Sequence, residues 1–122
     1  MNYKRGDIVV VKFPFVLKEG FEKQKGRPAL VISNEKLEKR YKDVILAAIT
    51  SHIPPEIMEV EIILEPDGST GLLKRSLLRL DFIMTIPEEL ISRKIGLLKE
   101  NLMKEVKQKL KIVFGIEQDK SN

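Results

Sequence analysis

Runs of apolar residues with the length and composition of β-strands account for most of the chain. Three of them, residues 7–15, 28–33 and 44–50, are rich in β-branched and aliphatic side chains, which favours strands. The second and third are apolar without interruption, which predicts burial on both faces of a sheet. In residues 58–65 and 76–86 apolar and polar positions alternate instead, which predicts strands with one solvated face.

A helical period is sustained near the C-terminus. Over residues 99–114 apolar side chains form one stripe, and acidic and basic residues pair four positions apart, which predicts an amphipathic helix. We expect the stripe to pack on the sheet; a dimer or partner face is the alternative. Two shorter helical segments are also predicted, one capped by Asn34 over residues 35–41 and one that opens at Pro87 and ends near Arg93.

Length and composition limit the organisation and the chemistry. A chain of 122 residues with 43% hydrophobic residues forms one small domain, expected over residues 1–116 with a flexible tail at 117–122. The absence of Cys excludes disulfides, thiolate nucleophiles and zinc ribbons, and a single His excludes a multi-His metal site. Because no signal peptide or membrane-length apolar run is present, we expect a soluble cytoplasmic protein.

The net charge of +4 is distributed unevenly along the chain. Residues 1–42 carry +6, residues 43–73 carry −6 and residues 74–122 carry +4. A basic surface suits a phosphate backbone or an acidic protein segment, and a solvated face of mixed charge is the alternative.

Several short motifs, in order and spacing, resemble the MazF/PemK family of toxin endoribonucleases. They are Arg5-Gly6-Asp7, the GRPALVIS run at 26–33, Ala48-Ile49-Thr50-Ser51, Gly71-Leu72, Arg79 with Asp81, and Ile95-Gly96-Leu97-Leu98. The resemblance implies a mainly β fold, a small SH3-like barrel of the CcdB/PemK type with a C-terminal helix and one or two short helices. It also implies a homodimer that cleaves single-stranded RNA without a metal or other cofactor, and an antitoxin whose acidic C-terminal tail restrains it.

Four residues at the motif positions are candidates for catalysis: Arg27, Thr50, Arg79 and Asp81. When the 2′-hydroxyl of RNA is the nucleophile, the protein must accept its proton and stabilise charge on the phosphate. Arg27 offers a planar fork to a phosphate, and Thr50 offers a hydroxyl donor. The alternatives are an ordinary exposed arginine and a hydroxyl that bonds loop backbone. Arg79 and Asp81 are a catalytic pair or a structural ion pair, with Asp81 as the candidate base.

Five further residues are candidates for binding the substrate. Ser51 and His52 follow Thr50 directly, and His52 is either an acid or RNA contact or a solvent-facing loop residue. In the link after the first strand, Phe21 stands where some relatives have a His and could stack on a base. Lys23 and Lys25 in the same link are candidate phosphate contacts.

Two other functions remain open at the level of sequence. One is a non-catalytic toxin that binds DNA gyrase, as the related CcdB does with the same fold. The other is a small RNA-binding barrel without activity. The four candidate catalytic residues favour the nuclease over both.

Overall fold

A single antiparallel sheet organises the residues that this computed structural model describes, 3–12 and 26–117. Its strands are β1 Asp7–Lys12, β2 Gly26–Val31, β3 Asp43–Thr50, β4 Glu61–Leu64, β5 Ser76–Pro87 and β6 Ile91–Leu97. They lie side by side in the order β4-β5-β3-β2-β1-β6, and one turn of 3-10 helix, Glu88–Leu90, precedes β6. A C-terminal helix completes the chain, so the prediction of a mainly β fold with such a helix is confirmed. This helix, α1, spans Glu100–Val113.

Strands β1 to β3 have side chains buried on both faces, as the uninterrupted apolar sequences of β2 and β3 predict. Side chains from alternate positions enter two separate hydrophobic clusters. Ile8, Leu30 and Ala47 lie in one cluster, together with Val106 of α1. Their sequence neighbours form much of the other, which contains Val9, Ala29, Val31 and Leu46. The centre of the sheet is therefore a layer between two cores.

The connection that follows β4 closes the structure against the opposite edge of the sheet. Strands β4 and β6 are the two edges, and the backbone N–H of Leu97 in β6 donates to the carbonyl of Ser69, 2.8 Å away. Two glycines make this approach possible. A Cβ on Gly71 would lie 2.0 Å from the carbonyl oxygen of Ile95, and one on Gly96 would lie 2.3 Å from that of Ser69. The Gly71-Leu72 and Ile95-Gly96-Leu97-Leu98 motifs therefore meet in a single contact between β6 and the connection after β4.

Helix α1 confirms the strongest helical prediction, with ends one residue inside the predicted bounds. Met103 and Val106 are buried, and Leu102, Leu110 and Val113 pack against the same cluster. The stripe therefore packs mainly on the sheet. No helix within 3–12 and 26–117 is long and apolar enough to cross a membrane.

The two shorter helices differ from prediction. Residues 35–41 form no helix: the Asn34 side chain accepts from the N–H of Lys36 at 2.9 Å in a single turn. All of 34–42 is exposed, and so short a helix is unstable without an apolar face to pack. At Pro87 one 3-10 turn is present, but β6 begins at Ile91. The predicted continuation to Arg93 is therefore wrong.

Candidate active site

Strand register places Arg27, Thr50 and Arg79 on one face of the sheet. β2 pairs with β3 so that Ala29 lies opposite Ala48, and β3 pairs with β5 so that Ala48 lies opposite Arg79. The paired residues of β2 and β3 end at Ala29 and Ala48, and continuing the same register two residues along both strands sets Arg27 across from Thr50. Residues opposite each other across antiparallel strands, and residues two apart on one strand, share a face. These three candidates are therefore neighbours.

Sheet dimensions give the spacing of these three residues. Opposed residues in an antiparallel pair have Cβ atoms about 5 Å apart, which is the least separation expected for Arg27 and Thr50, two residues beyond the last paired residues of β2 and β3. Arg79 is one strand across from Thr50 and two residues along, about 8 Å between Cα atoms. Arg27 is exposed and Thr50 half-buried, so a guanidinium and a hydroxyl are presented together at the surface.

The Thr50 hydroxyl combines the two roles considered for it. Its Oγ1 accepts from the backbone N–H of His52 at 3.1 Å, so it does bond the loop that follows β3. A hydroxyl that accepts a hydrogen bond still has its own proton to donate. The loop bond therefore fixes the position of the oxygen and leaves a donor for a ligand. Ser51 and His52 are both exposed beside it.

Arg79 and Asp81 form a two-bonded ion pair. Arg79 Nε donates to Asp81 Oδ1 at 3.3 Å and a terminal guanidinium nitrogen donates to Oδ2 at 3.1 Å. The hydrogen bonds from Arg79 lower the pKa of Asp81, and those to Asp81 raise the pKa of Arg79. A carboxylate with a lowered pKa is a weaker base. The ion pair is present, and a catalytic role for either residue stays a prediction.

Two neighbours of Arg79 are missing from the sequence-based candidates. Glu61 of β4 lies opposite Arg79 in the sheet, its charge contributes to the raised pKa of Arg79, and its Oε1 accepts from the N–H of Met58 at 2.8 Å. The guanidinium carbon of Arg79 lies 5.3 Å from the centre of the Phe82 ring. The alternating sequence of β4 places Glu61 on a solvated face. It does not show that Glu61 lies opposite Arg79, because that depends on the register between β4 and β5.

The remaining candidates lie outside the described residues. Phe21, Lys23 and Lys25 fall in 13–25, so their prediction as RNA contacts stands as made. Within the described ranges no group of three or more His, Asp or Glu side chains is arranged to hold a metal ion.

Fold and site together define a small mainly β protein that presents an arginine and a hydroxyl on an exposed sheet face beside an Arg–Asp pair. The chain belongs to the PemK-like, MazF-like toxins of type II toxin–antitoxin systems, a family that matches residues 4–114. The family expected from the motifs is thereby confirmed.

Individual relatives match over nearly the full length. A probable endoribonuclease MazF from Mycolicibacterium smegmatis is 26% identical over 93% of this chain and 97% of its own. An endoribonuclease MazF from Staphylococcus saprophyticus is 29% identical over 93% and 92%. A mycobacterial endoribonuclease solved with its cognate antitoxin has the same fold, with a TM-score of 0.75 at 15% identity over 96% of this chain and 99% of that one.

Proposed function

We propose that this toxin is an endoribonuclease that cleaves single-stranded RNA without a metal ion. The observation that carries the proposal is the juxtaposition of Arg27 and Thr50 across β2 and β3, beside Arg79, in a chain whose curated relatives are named endoribonucleases. The substrate's own 2′-hydroxyl supplies the nucleophile. Neither a thiol nor a cluster of histidines is then needed.

The proposed reaction divides its work between the two residues. Arg27 binds the scissile phosphate through its planar fork and stabilises the negative charge that grows there as the 2′-oxygen attacks. Thr50 donates a hydrogen bond from its hydroxyl to another phosphate oxygen. The 2′-oxygen loses its proton to solvent as its bond to phosphorus forms, the bond from phosphorus to the 5′-oxygen breaks, and the 5′-oxygen takes up a proton from solvent. The products are a 2′,3′-cyclic phosphate and a 5′-hydroxyl end. The lowered pKa of Asp81 counts against its acting as the base.

The test is cleavage of single-stranded RNA by purified protein in excess EDTA. Arg27→Ala is expected to lower the rate by about 10²–10³, the usual cost of removing one donor to a transition-state oxygen. Thr50→Val should lose activity and Thr50→Ser should keep it, because serine retains the hydroxyl. Arg40→Ala, at an exposed residue of the 34–42 turn, is the control and should match wild type.

Three results would contradict the proposal. The first is cleavage that requires magnesium, and the second is full activity in both Arg27→Ala and Thr50→Val. The third is growth arrest without RNA cleavage, relieved by mutations in gyrase, which would favour the CcdB-like alternative. Mapping the product ends separates the proposed cyclic phosphate from a hydrolytic 3′-phosphate route.

We propose two protein partners as well, an antitoxin with an acidic tail and a second copy of the chain. A groove of about 350 Å³ at the end of α1 has an apolar lining that includes Ile45, Ile83 and Phe114. Phe114 and Ile116, which both line this groove, are 60% and 56% exposed, and exposed apolar surface of this kind marks interfaces. A second copy is the occupant proposed for this groove.

Solution mass tests the dimer. Phe114→Glu should convert a dimer into a monomer by light scattering, and Leu73→Glu, at a leucine that is 96% exposed away from the groove, should leave the dimer intact. A monomeric wild type would contradict the dimer. Basic Arg5 and Lys107 also line the groove, so a monomer that binds an acidic antitoxin peptide there would assign the surface to the antitoxin instead.

A further inference from the structure

The charge balance around Arg79 is wrong for a phosphate site. Asp81 occupies one side of the guanidinium with both carboxylate oxygens, and Glu61 lies opposite Arg79 on the neighbouring strand. One arginine between two carboxylates gives these three side chains a formal net charge of −1. Such a cluster repels an RNA phosphate, in contrast to Arg27, which has no ion pair with a carboxylate within the part of the chain that the structure describes. Another part of the nucleotide must be its ligand.

Hydrogen-bonding capacity identifies that part. Arg79 uses two of its five N–H groups on Asp81 and has three left to donate. Each Asp81 oxygen accepts one bond from Arg79 and retains a free lone pair, and Glu61 uses one oxygen on Met58. Donors and charged acceptors therefore stand side by side. This is the pattern that reads the edge of a nucleobase with an exocyclic amino group, since a carboxylate accepts from that amino group.

An aromatic side chain completes the cluster. Phe82 is 46% exposed, and the Arg79 guanidinium covers one region of its ring at 5.3 Å. Unpaired RNA bases stack on aromatic rings and on guanidinium planes. Since Arg79 lies only about 8 Å from Thr50 between Cα atoms, the base held here would belong to a nucleotide next to the scissile phosphate.

We propose that Glu61, Arg79, Asp81 and Phe82 form the pocket that recognises a base with an exocyclic amino group beside the cut, and so set the cleavage sequence of this toxin. The proposal rests on the ribonuclease function proposed above. It gives the Arg79–Asp81 pair a role in recognition in place of proton transfer.

Mapping of cut sites in a long transcript tests the proposal. Asp81→Asn and Glu61→Gln keep the shape of each side chain but replace a charged acceptor by an amide that also donates. At one position beside the cut, wild type should require cytosine, adenine or guanine. The variants should relax that requirement and admit uracil, whose carbonyl oxygen accepts from an amide. Glu65→Gln, which changes an exposed carboxylate paired with Arg75, should leave the requirement unchanged.

Binding separates recognition from chemistry. Oligonucleotides with a 2′-deoxy nucleotide at the cut cannot react, and their affinities for wild type should differ with the base at that position. Phe82→Leu should weaken all of them by about 5- to 150-fold, the range for loss of one stacked base.

The possible failures are distinguishable. A wild type that does not cut RNA overturns the ribonuclease proposal itself. Recognition is overturned if Asp81→Asn and Glu61→Gln keep the wild-type sequence requirement, and it is also overturned if they lose activity equally on every sequence. Uniform loss in Asp81→Asn with unaltered binding would return the pair to acid–base catalysis.

Discussion

Replacing Gly96 by alanine tests whether the contact between β6 and the connection after β4 holds the sheet closed. A Cβ at this position would lie 2.3 Å from the carbonyl oxygen of Ser69 and 2.4 Å from the carbonyl carbon of Thr70. Both are backbone atoms, so no side chain can rotate away. The backbone of Gly96 does not have the positive φ that strains alanine. The effect is therefore purely one of space.

The cost follows from the distances. Ordinary contact begins at 3.4 Å, so the two segments must separate by about 1 Å. That displacement breaks the 2.8 Å bond from the N–H of Leu97 to Ser69, worth about 1 kcal/mol net. Forcing extra volume into a packed site adds about 1–3 kcal/mol. The expected loss in the free energy of unfolding is about 2–4 kcal/mol, a large part of the ~5–15 kcal/mol that such domains have.

Urea denaturation followed by circular dichroism measures this loss, and other glycines of the chain supply matched controls. A Cβ on Gly68 in the same connection meets nothing within 4 Å, so Gly68→Ala should be neutral. Gly115 has open space but a φ of +66°, so Gly115→Ala should cost about 1 kcal/mol. Gly71 combines a φ of +68° with a Cβ 2.0 Å from a backbone oxygen and should be the worst. Equal stability of Gly96→Ala and Gly68→Ala would refute the closure.

Three further predictions concern packing and charge. Val106→Ala should lower the free energy of unfolding by about 2–3 kcal/mol, because Val106 is fully buried and the change removes two carbons from a packed core. A loss of less than about 1 kcal/mol would contradict the packing of α1 in the core. The pKa of Asp81 is lower in the folded protein than in the unfolded chain, where it is about 4. The ion pair with Arg79 therefore stabilises the fold fully above about pH 4, and this stabilisation is lost as the pH falls through the pKa of Asp81 in the folded protein. Asp81→Asn should therefore narrow the stability difference between pH 6 and pH 3, measured by urea titration at each pH, and an unchanged difference would contradict the shift. Lys94→Ala should cost about 1 kcal/mol, because the buried Asp7 loses its ion-pair partner at 3.1 Å and keeps only the bond from the N–H of Lys4 at 2.8 Å. The exposed neighbour Arg93→Ala should cost almost nothing by thermal melting.

The sequence predicts the central strands well, because strands that are buried on both faces consist almost entirely of apolar residues. β2 and β3 are apolar on both faces, and both faces meet a core. β6 was missed for the opposite reason. Its residues Ser92, Arg93 and Lys94 are exposed in succession, which obscures the alternation of a strand. This edge strand is defined by its pairing with β1, where register shifts occur, and such a pairing has no local signal.

The candidate site also contains residues that the sequence predicts and one that it does not. Arg27, Thr50, Arg79 and Asp81 were identified by resemblance to a family, and the structure brings the first three onto one face. Glu61 could not be found, because its proximity to Arg79 is a matter of which residues face each other across β4 and β5. Local sequence indicates which side of a strand is wet but not which partner lies across from it.

A bulge in β5 is the feature that makes the Arg79 cluster possible. On β3, Ala47 and Ala48 are adjacent, but they pair with Ile83 and Arg79, so that three residues of β5 are left over between them. In a regular register Asp81 would lie opposite Leu46, which is fully buried in the second cluster. The bulge instead leaves Asp81 and Phe82 exposed, and both contact Arg79. Bulges commonly redirect side chains next to functional sites. Here the redirected residues are the carboxylate and the ring that the proposed recognition of a base requires.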